Sequence, residues 1–425
     1  MKQIIKERIE QINNGIVPKG YKRTKAGLMP DEWINGKETV ARDVFASVSF
    51  KNNTKNLEVL SATQDKGVVP RRLVDIDIKY NEENVTGYKK VDKGDFVISL
   101  RSFQGGIEYS EYDGLVSPAY TVLKPIQSIV DGYYKAYFKS TDFITRLNKG
   151  TYGIRDGKQI GYNDFGNMVI HFPPYEEQEK IAEILFTQDK VIELCDKEIE
   201  QLLLLKKAYL QELFPKKGSN APELRFKGYS KPWKSAKVGE LLKERVEYAP
   251  KSIEYPLMAF IANKGITTKG ERYDRSSLIK DEENKPYKRT EKGDFIYSSN
   301  NLESGSIGIN TYGKASISPV YSIFFSTDLA DSDFISRCLI RKDFINEMIK
   351  LRQGVIYGQW KIHESDFLKI DVLVPDVLEQ KKLGEFLKSI DQSIVLSQKK
   401  IEQEKQKKKA LMQLLLTGIV RVKND

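Results

Sequence analysis

Apolar residues along the 425-residue chain follow a period of two, then a spacing of threes and fours, and then repeat that order. The stretches DFVISL, AYTVLKP and GNMVIHF alternate over short runs between Gly, Asn and Asp turns, which predicts strands. From Glu177 to Phe214 Gly and Pro disappear. Here Ile181, Leu185, Ile192, Cys195, Ile199, Leu202, Tyr209 and Leu213 form a seam interrupted by Gln188 and Lys206. A second seam holds Leu383, Leu387, Ile390, Ile394, Ile401, Leu411 and Leu415, interrupted by Ser397, Glu404 and Lys408. Helices of this length would run ~57 Å at 1.5 Å per residue, with an apolar face too narrow for burial all round. Each therefore needs a partner, and the simplest partner is the other helix, packed antiparallel as a coiled coil. Two core helices inside one globule would be the plainer alternative.

The chain also contains itself twice. YKKVDKGDFVIS, from Tyr88 to Ser99, is answered by YKRTEKGDFIYS, from Tyr287 to Ser298, at an offset of 199. Ser117-Pro118-Ala119-Tyr120 is answered by Ser318-Pro319-Val320-Tyr321 at 201, and Glu177-Gln178 by Glu379-Gln380 at 202. So small a drift means one fold present in two copies. The loop after the shared KGDF strand differs, LRSFQGGIEYSEYDG in one copy and SNNLESGSIGINTYGK in the other. A constant scaffold with divergent loops implies two related surfaces that recognise different things. The expected architecture is α+β: two pseudo-twofold-related α/β domains joined by two long antiparallel helices. Its expected parts are an N-terminal helical segment (1–20), a first domain (21–175) and a long helix (176–215), then a linker (216–230), a second domain (231–375), a second long helix (376–419) and a tail (420–425).

Charge narrows the class only slightly. The 69 Lys and Arg outnumber the 59 Asp and Glu, and a net charge of +10 favours a polyanionic partner without deciding for one. Cys195 and Cys338 are too few for a disulfide framework or a zinc site and point to a reducing compartment. The N-terminus MKQIIKERIEQINNG carries charges where a signal peptide needs an apolar stretch, and no run approaches a membrane span. A soluble, cytoplasmic protein is the expectation.

At the start of each long helix stand Phe172-Pro173-Pro174-Tyr175-Glu176-Glu177-Gln178 and Val374-Pro375-Asp376-Val377-Leu378-Glu379-Gln380. KAGLMPDEW, ending at Trp33, and PELRFKGYSKPW, ending at Trp233, precede the two strand-rich domains. This array resembles the specificity subunits of type I restriction-modification enzymes over nearly the entire chain, departing only at Asp376, where the second Pro is missing. The resemblance implies that each strand-rich domain is a target recognition domain reading one half of a split double-stranded DNA sequence. It further implies that the helices set the spacer and dock two methyltransferase subunits, with two motor-nuclease subunits joining for restriction. S-adenosylmethionine, ATP and Mg2+ would belong to those partners, and this chain would carry no catalytic or metal site. The junction has its own physical sense, since the prolines bar helix upstream and the acidic side chains suit the first helical turn.

Stretches that imitate catalytic motifs fail on their chemistry. His171-Phe172-Pro173-Pro174-Tyr175 resembles an amino-methyltransferase loop, but Phe172 cannot accept a hydrogen bond from a target amino group. Gly308 to Lys314 fits the first part of a phosphate-binding loop, but Ala315 lacks the hydroxyl for magnesium, and a hairpin is the better expectation. Pro375-Asp376 with Glu379 and Lys381 resembles a nuclease motif yet falls within one helix start, and His171 and His363 have no readable nucleophile partner. Lys405, Lys407, Lys408 and Lys409 form either a solvated helix face or a phosphate contact. A self-contained methyltransferase or nuclease, or a protein-only coiled-coil scaffold, are the competing classes.

Base reading needs side chains with paired donors and acceptors on loops that can enter the major groove. In the first copy these are Arg101 and Gln104 after the KGDF strand, then Tyr152 and Arg155. In the second they are Asn300, Asn301, Tyr357, Gln359 and Trp360. Phosphate contacts are expected from Arg71, Arg72, Lys149, Lys158, Lys264, Lys269, Arg272, Arg352 and Lys361.

Overall fold

The computed structural model describes residues 2–34, 36–51, 57–74, 87–149, 160–268, 285–355 and 359–422. The chain divides into two compact units, residues 1–196 with 399–425, and residues 197–398. Both dividing lines fall inside the long helices, so each unit contains the start of one and the end of the other.

Unit 1 begins with α1 (Lys2–Asn13), the hairpin β1 (Tyr21–Thr24) and β2 (Gly27–Pro30), and α2 (Asp31–Ile34). Then come β3 (Phe45–Val48), the hairpin β4 (Leu60–Thr63) and β5 (Gly67–Pro70), β6 (Lys89–Val91), β7 (Phe96–Ile98), the single turn α3 (Ser102–Gly105), β8 (Glu108–Tyr109), β9 (Gly114–Val116) and β10 (Thr121–Pro125). Helices α4 (Asp131–Tyr137), α5 (Thr141–Lys149) and α6 (Tyr162–Gly166) lead into α7 (Tyr175–Glu212). Its main sheet has the order β3-β10-β7-β8, antiparallel throughout.

Unit 2 repeats the plan. After β11 (Lys234–Lys237) and α8 (Val238–Leu241) come β12 (Leu242–Glu244), β13 (Tyr248–Ala249), the hairpin β14 (Ala259–Ile261) and β15 (Gly265–Thr267), β16 (Tyr287–Thr290), β17 (Phe295–Tyr297), β18 (Ile307–Ile309), β19 (Ala315–Ile317) and β20 (Ser322–Ser326). Helices α9 (Ser332–Leu339) and α10 (Lys342–Lys350) follow, then the hairpin β21 (Gln353–Val355) and β22 (Gln359–Lys361), α11 (Glu364–Phe367), β23 (Asp371–Val374) and α12 (Val377–Leu416). The main sheet, β12-β20-β17-β18, has the same order as its counterpart. The duplication read from sequence is therefore a duplication of topology.

Two details depart from expectation. GNMVIHF is no strand in unit 1, where only Val169 bridges Val40, whereas the matching β23 pairs in full with β11. Residues 310–314 do not close a hairpin, because β18 pairs with β17 and β19 with β16. The loop turns instead on Asn310, whose Oδ1 accepts from the Tyr312 and Gly313 amides at 2.9 and 3.1 Å.

The shared KGDF sequence is structural. Gly94 and Gly293 hold φ of 100° and 95°, a region costly for any side chain. The next residue, Asp95 or Asp294, is buried and accepts the backbone amide of Asp92 or Glu291 at 2.9 and 2.7 Å. Burial raises both carboxyl pKa values. The core of unit 1 is an aromatic nest of Phe45, Phe96, Phe138 and Phe165 with Tyr134, all fully buried. Each such ring contributes roughly 1.5–3 kcal/mol on burial. Unit 2 has the smaller nest of Phe295, Tyr297, Phe324 and Phe367.

The long helices run antiparallel within each unit. In unit 1 Asp189 meets Lys408 at 2.5 Å, and Glu177 at the start of α7 meets Arg421 beyond the end of α12. In unit 2 Asp391 meets Lys206 at 2.7 Å, and Tyr209 packs edge-on against Phe386. Of the seam, Ile181, Leu185, Leu383, Leu387, Ile394 and Ile401 are buried, while Ile192, Ile199, Leu202 and Leu411 are half-buried. The Glu-Gln pair at each helix start now has an account. Gln178 accepts the Val130 amide and donates to Pro173 O, and Gln380 does the same with Asp331 and Pro375. Each glutamine thereby clips its long helix to the N-terminal end of α4 or α9.

Candidate nucleic-acid interface

In unit 2 the loop after β17 is built from three directions. Its own turn is closed by Asn301 N to Ser298 O and Ser306 N to Asn301 O, and Leu302 anchors it in the core. On one side the β14–β15 hairpin reaches it, with Asn263 N donating to Gly305 O at 3.0 Å and Asn263 Nδ2 to Ser304 O at 3.3 Å. Gly305 has no room for a side chain, since a Cβ there would strike the Asn263 carboxamide. On the other side lies β22, whose Trp360 amide donates to Asn300 Oδ1 at 2.5 Å and whose Ile362 neighbour donates to Ser299 Oγ at 3.0 Å.

That first bond fixes which way the Asn300 carboxamide points. A backbone N–H can only donate, so Oδ1 faces Trp360 and the Nδ2 donors are left for another acceptor. Asn300, Asn301, Gln359 and Trp360 are all exposed here, and the Trp360 indole lies across from Gly354 on the paired strand. The result is a rigid surface with amide donors, an aromatic face and Lys264 and Lys361 at its margins.

Unit 1 has the same construction with different tips. The β4–β5 hairpin presents Gln64 to the loop after β7, where a Cβ on Gly105 would lie 2.7 Å from that side chain. Gly67 combines a φ of 75° with a close approach to Tyr109 O, and its counterpart Gly265 has φ 77° near Ile309 O. Lys139 secures the seat by donating to Gln64 O, Gly105 O and Glu108 Oε1 at 3.2, 2.9 and 2.5 Å. Arg101 and Gln104 stand exposed on this loop, with no side-chain hydrogen bond or ion pair among the described residues.

Residues 34–204 match the family described as type I restriction modification DNA specificity domain. The type I restriction enzyme MjaVIII specificity subunit of Methanocaldococcus jannaschii is 28% identical over 358 residues, 79% of this chain and 81% of that one. The putative type I restriction enzyme MjaX specificity subunit of the same organism is 25% identical over 434 residues, covering 95% and 97%. Both relatives are type I restriction enzyme specificity subunits, the family that the chain resembles. Among solved structures, the type I restriction-modification system S subunit from M. genitalium has the same fold at 14% identity, with a TM-score of 0.50 over 89% of this chain and 95% of that one.

The structure gives several of the ionisable groups scaffold roles. His171 is buried, its Nδ1 2.6 Å from Leu416 O, and burial with Arg146 nearby lowers its pKa to about 4. Asp376 Oδ1 accepts the Glu379 amide, and Glu379 accepts both Nε and Nη2 of Arg225 at 2.7 Å. Both cysteines are buried and unbonded to each other. No helix among the described residues is long and apolar enough to cross a membrane.

The sequence-derived contact residues fall into four sets. Arg101, Gln104, Asn300, Asn301, Gln359 and Trp360 lie on the composite loops, as does Lys264 at a hairpin tip, and Lys149 ends α5 exposed. Arg352, Arg72 and Lys361 face carboxylates of their own unit. Arg352 is held by Glu303 at 2.7 Å, Arg72 by Glu58 at 3.0 Å and Lys361 by Glu364 at 3.6 Å. Arg71 sits in the short turn after β5. Tyr152, Arg155, Lys158, Lys269, Arg272 and Tyr357 lie outside the described residues. Sequence reasoning missed the hairpin tips at Gln64 and Asn263. The repeated Lys-Gly at 66–67 and 264–265 was the available signal.

Proposed function

We propose that each unit reads one half of a bipartite double-stranded DNA target through its composite loop. Bases would be read by Arg101 and Gln104 in the first half, and by Asn300, Asn301, Gln359 and Trp360 in the second. One observation carries the proposal: two copies of one sheet topology support loops of the same construction but different side chains. A scaffold duplicated for stability alone would have no reason to diverge at its tips. The long helices fix the unread spacer and dock two methyltransferase subunits, with motor-nuclease subunits joining for cleavage. S-adenosylmethionine, ATP and Mg2+ are assigned to those partners, and this chain contributes recognition rather than catalysis.

Exchange of residues 231–375 for the matching segment of a relative tests the reading. Mapping methylated sites in cells carrying the hybrid should show one half of the motif changed and the other retained. Methylation or cleavage by the purified chain alone, or a change in both halves, would refute it.

A further inference from the structure

Arg352 and Glu303 are where charge at the reading surface is spent inside the protein. Arg352 lies between α10 and β21, at the foot of the hairpin that carries Gln359 and Trp360. Its Nη1 and Nη2 donate to Glu303 Oε1 and Oε2, both at 2.7 Å, a fork-to-fork pairing that fixes orientation as well as distance. Only 10% of the Arg352 side chain is exposed, against 56% for Glu303. An arginine so enclosed is poorly placed to reach a phosphate. The Arg352 guanidinium holds the Glu303 carboxyl below its usual range, so the pair stays ionised near neutrality.

We infer that Glu303 and Arg352 are positioning residues that set the separation of the two reading segments in unit 2, and that neither contacts DNA. This rests on the proposed reading of DNA by that unit. Three contacts join the segments: the ion pair of Arg352 with Glu303, the Trp360 amide to Asn300, and the Ile362 amide to Ser299. The two amide bonds survive any side-chain change at 352, but both are donated from the β22 side of the hairpin. The ion pair ties down the β21 side, where Gln353, next to Arg352, pairs with Lys361. With it released, the hairpin can pivot and present Gln359 and Trp360 out of register with Asn300, which lowers selectivity without removing a phosphate contact.

The test uses the full chain in complex with its methyltransferase partner. Probes are a 40-base-pair duplex carrying the motif read from mapped methylation sites, the same duplex with its second half scrambled, and one with its first half scrambled. The double variant Glu303→Gln/Arg352→Gln keeps the net charge. Its preference for the intact second half should fall about tenfold, on the scale of one misread base pair. Preference for the first half should not change, nor should the slope of log affinity against log salt. The exchanged pair Glu303→Arg/Arg352→Glu should restore most of the lost preference, a rescue that mere tolerance of the mutations would not produce. A salt slope reduced by about one in both variants, with preference intact, would make Arg352 a phosphate contact and overturn the inference. So would unaltered preference and slope in the double variant. Absence of any motif preference in the parent complex would instead defeat the reading on which the inference rests.

Discussion

Arg421 meets the carboxylate of Glu177 edge-on, Nε to Oε1 and Nη2 to Oε2, each at 2.7 Å, and the pair is almost wholly enclosed. Trp33 Nε1 donates to the same carboxylate at 2.8 Å. In unit 2 Arg225 grips Glu379 in the same way. Each glutamate begins one long helix, and each arginine lies beyond the end of the other, so the junction motif closes a unit by tying the start of one long helix to the segment that follows the other. Glu177→Ala leaves the Trp33 indole N–H buried without a partner and the Arg421 guanidinium with only the exposed Glu32 carboxylate, and should cost about 3 kcal/mol in urea-induced unfolding. Unchanged stability would show the junction glutamate to be dispensable.

The helix pairing contains a polar pair with an apolar counterpart. Gln188, buried, donates to Glu404 Oε2 at 2.6 Å, whereas the positions 202 residues away from each, Ile390 and Leu202, belong to the apolar core of unit 2. Glu404→Leu alone should destabilise unit 1 by roughly 1–2 kcal/mol, because the amide loses its carboxylate acceptor and keeps only the longer bond to Glu404 O at 3.3 Å. Gln188→Ile with Glu404→Leu should recover that loss. A double-mutant cycle in urea with no coupling would show that the two side chains act independently.

These pairs also show what the sequence could and could not disclose. The seam spacing exposed Gln188 as an interruption, and the offset of 202 identified its counterpart, but neither revealed that its partner is Glu404. The repeats made KGDF conspicuous, yet only the structure shows that the aspartate caps a turn rather than binding anything. Arg352 looked like a phosphate contact because a positive charge in a loop carries no mark of where its carboxylate lies. Such a pairing is a property of three-dimensional neighbours, and Glu303 is 49 residues away. Helix starts and the internal duplication are local or periodic, and those were legible.

His171 makes unit 1 sensitive to acid. An exposed imidazole titrates near 6.5, and the buried one near 4. Between these values the unfolded chain takes up a proton that the native state refuses, so this contribution is intact above pH 6.5 and erodes as pH falls toward 4. The full difference is about 3 kcal/mol by linkage. The buried carboxyls of Asp95, Asp294 and Glu108, raised by burial, act in the opposite direction and would mask it in the parent protein. The difference between parent and His171→Asn unfolding free energies, measured from pH 7 to pH 4.5, isolates it. A constant difference across that range would rule out a neutral buried imidazole.

The seat of the hairpin tips yields the most selective prediction. Gly305 has a φ of 88° and no space for a Cβ beside Asn263, so Gly305→Ala must both strain the backbone and push the β14–β15 hairpin from the loop. Only unit 2 is affected, because the matching seat in unit 1 is formed by Gly105 and Gln64. Methylation mapped in cells carrying the variant should lose definition in one half of the motif while the other half stays sharp. Gly105→Ala should blur the opposite half, because there too a Cβ meets the hairpin's side chain. Blurring of both halves by either single variant would mean that the loops do not read independently.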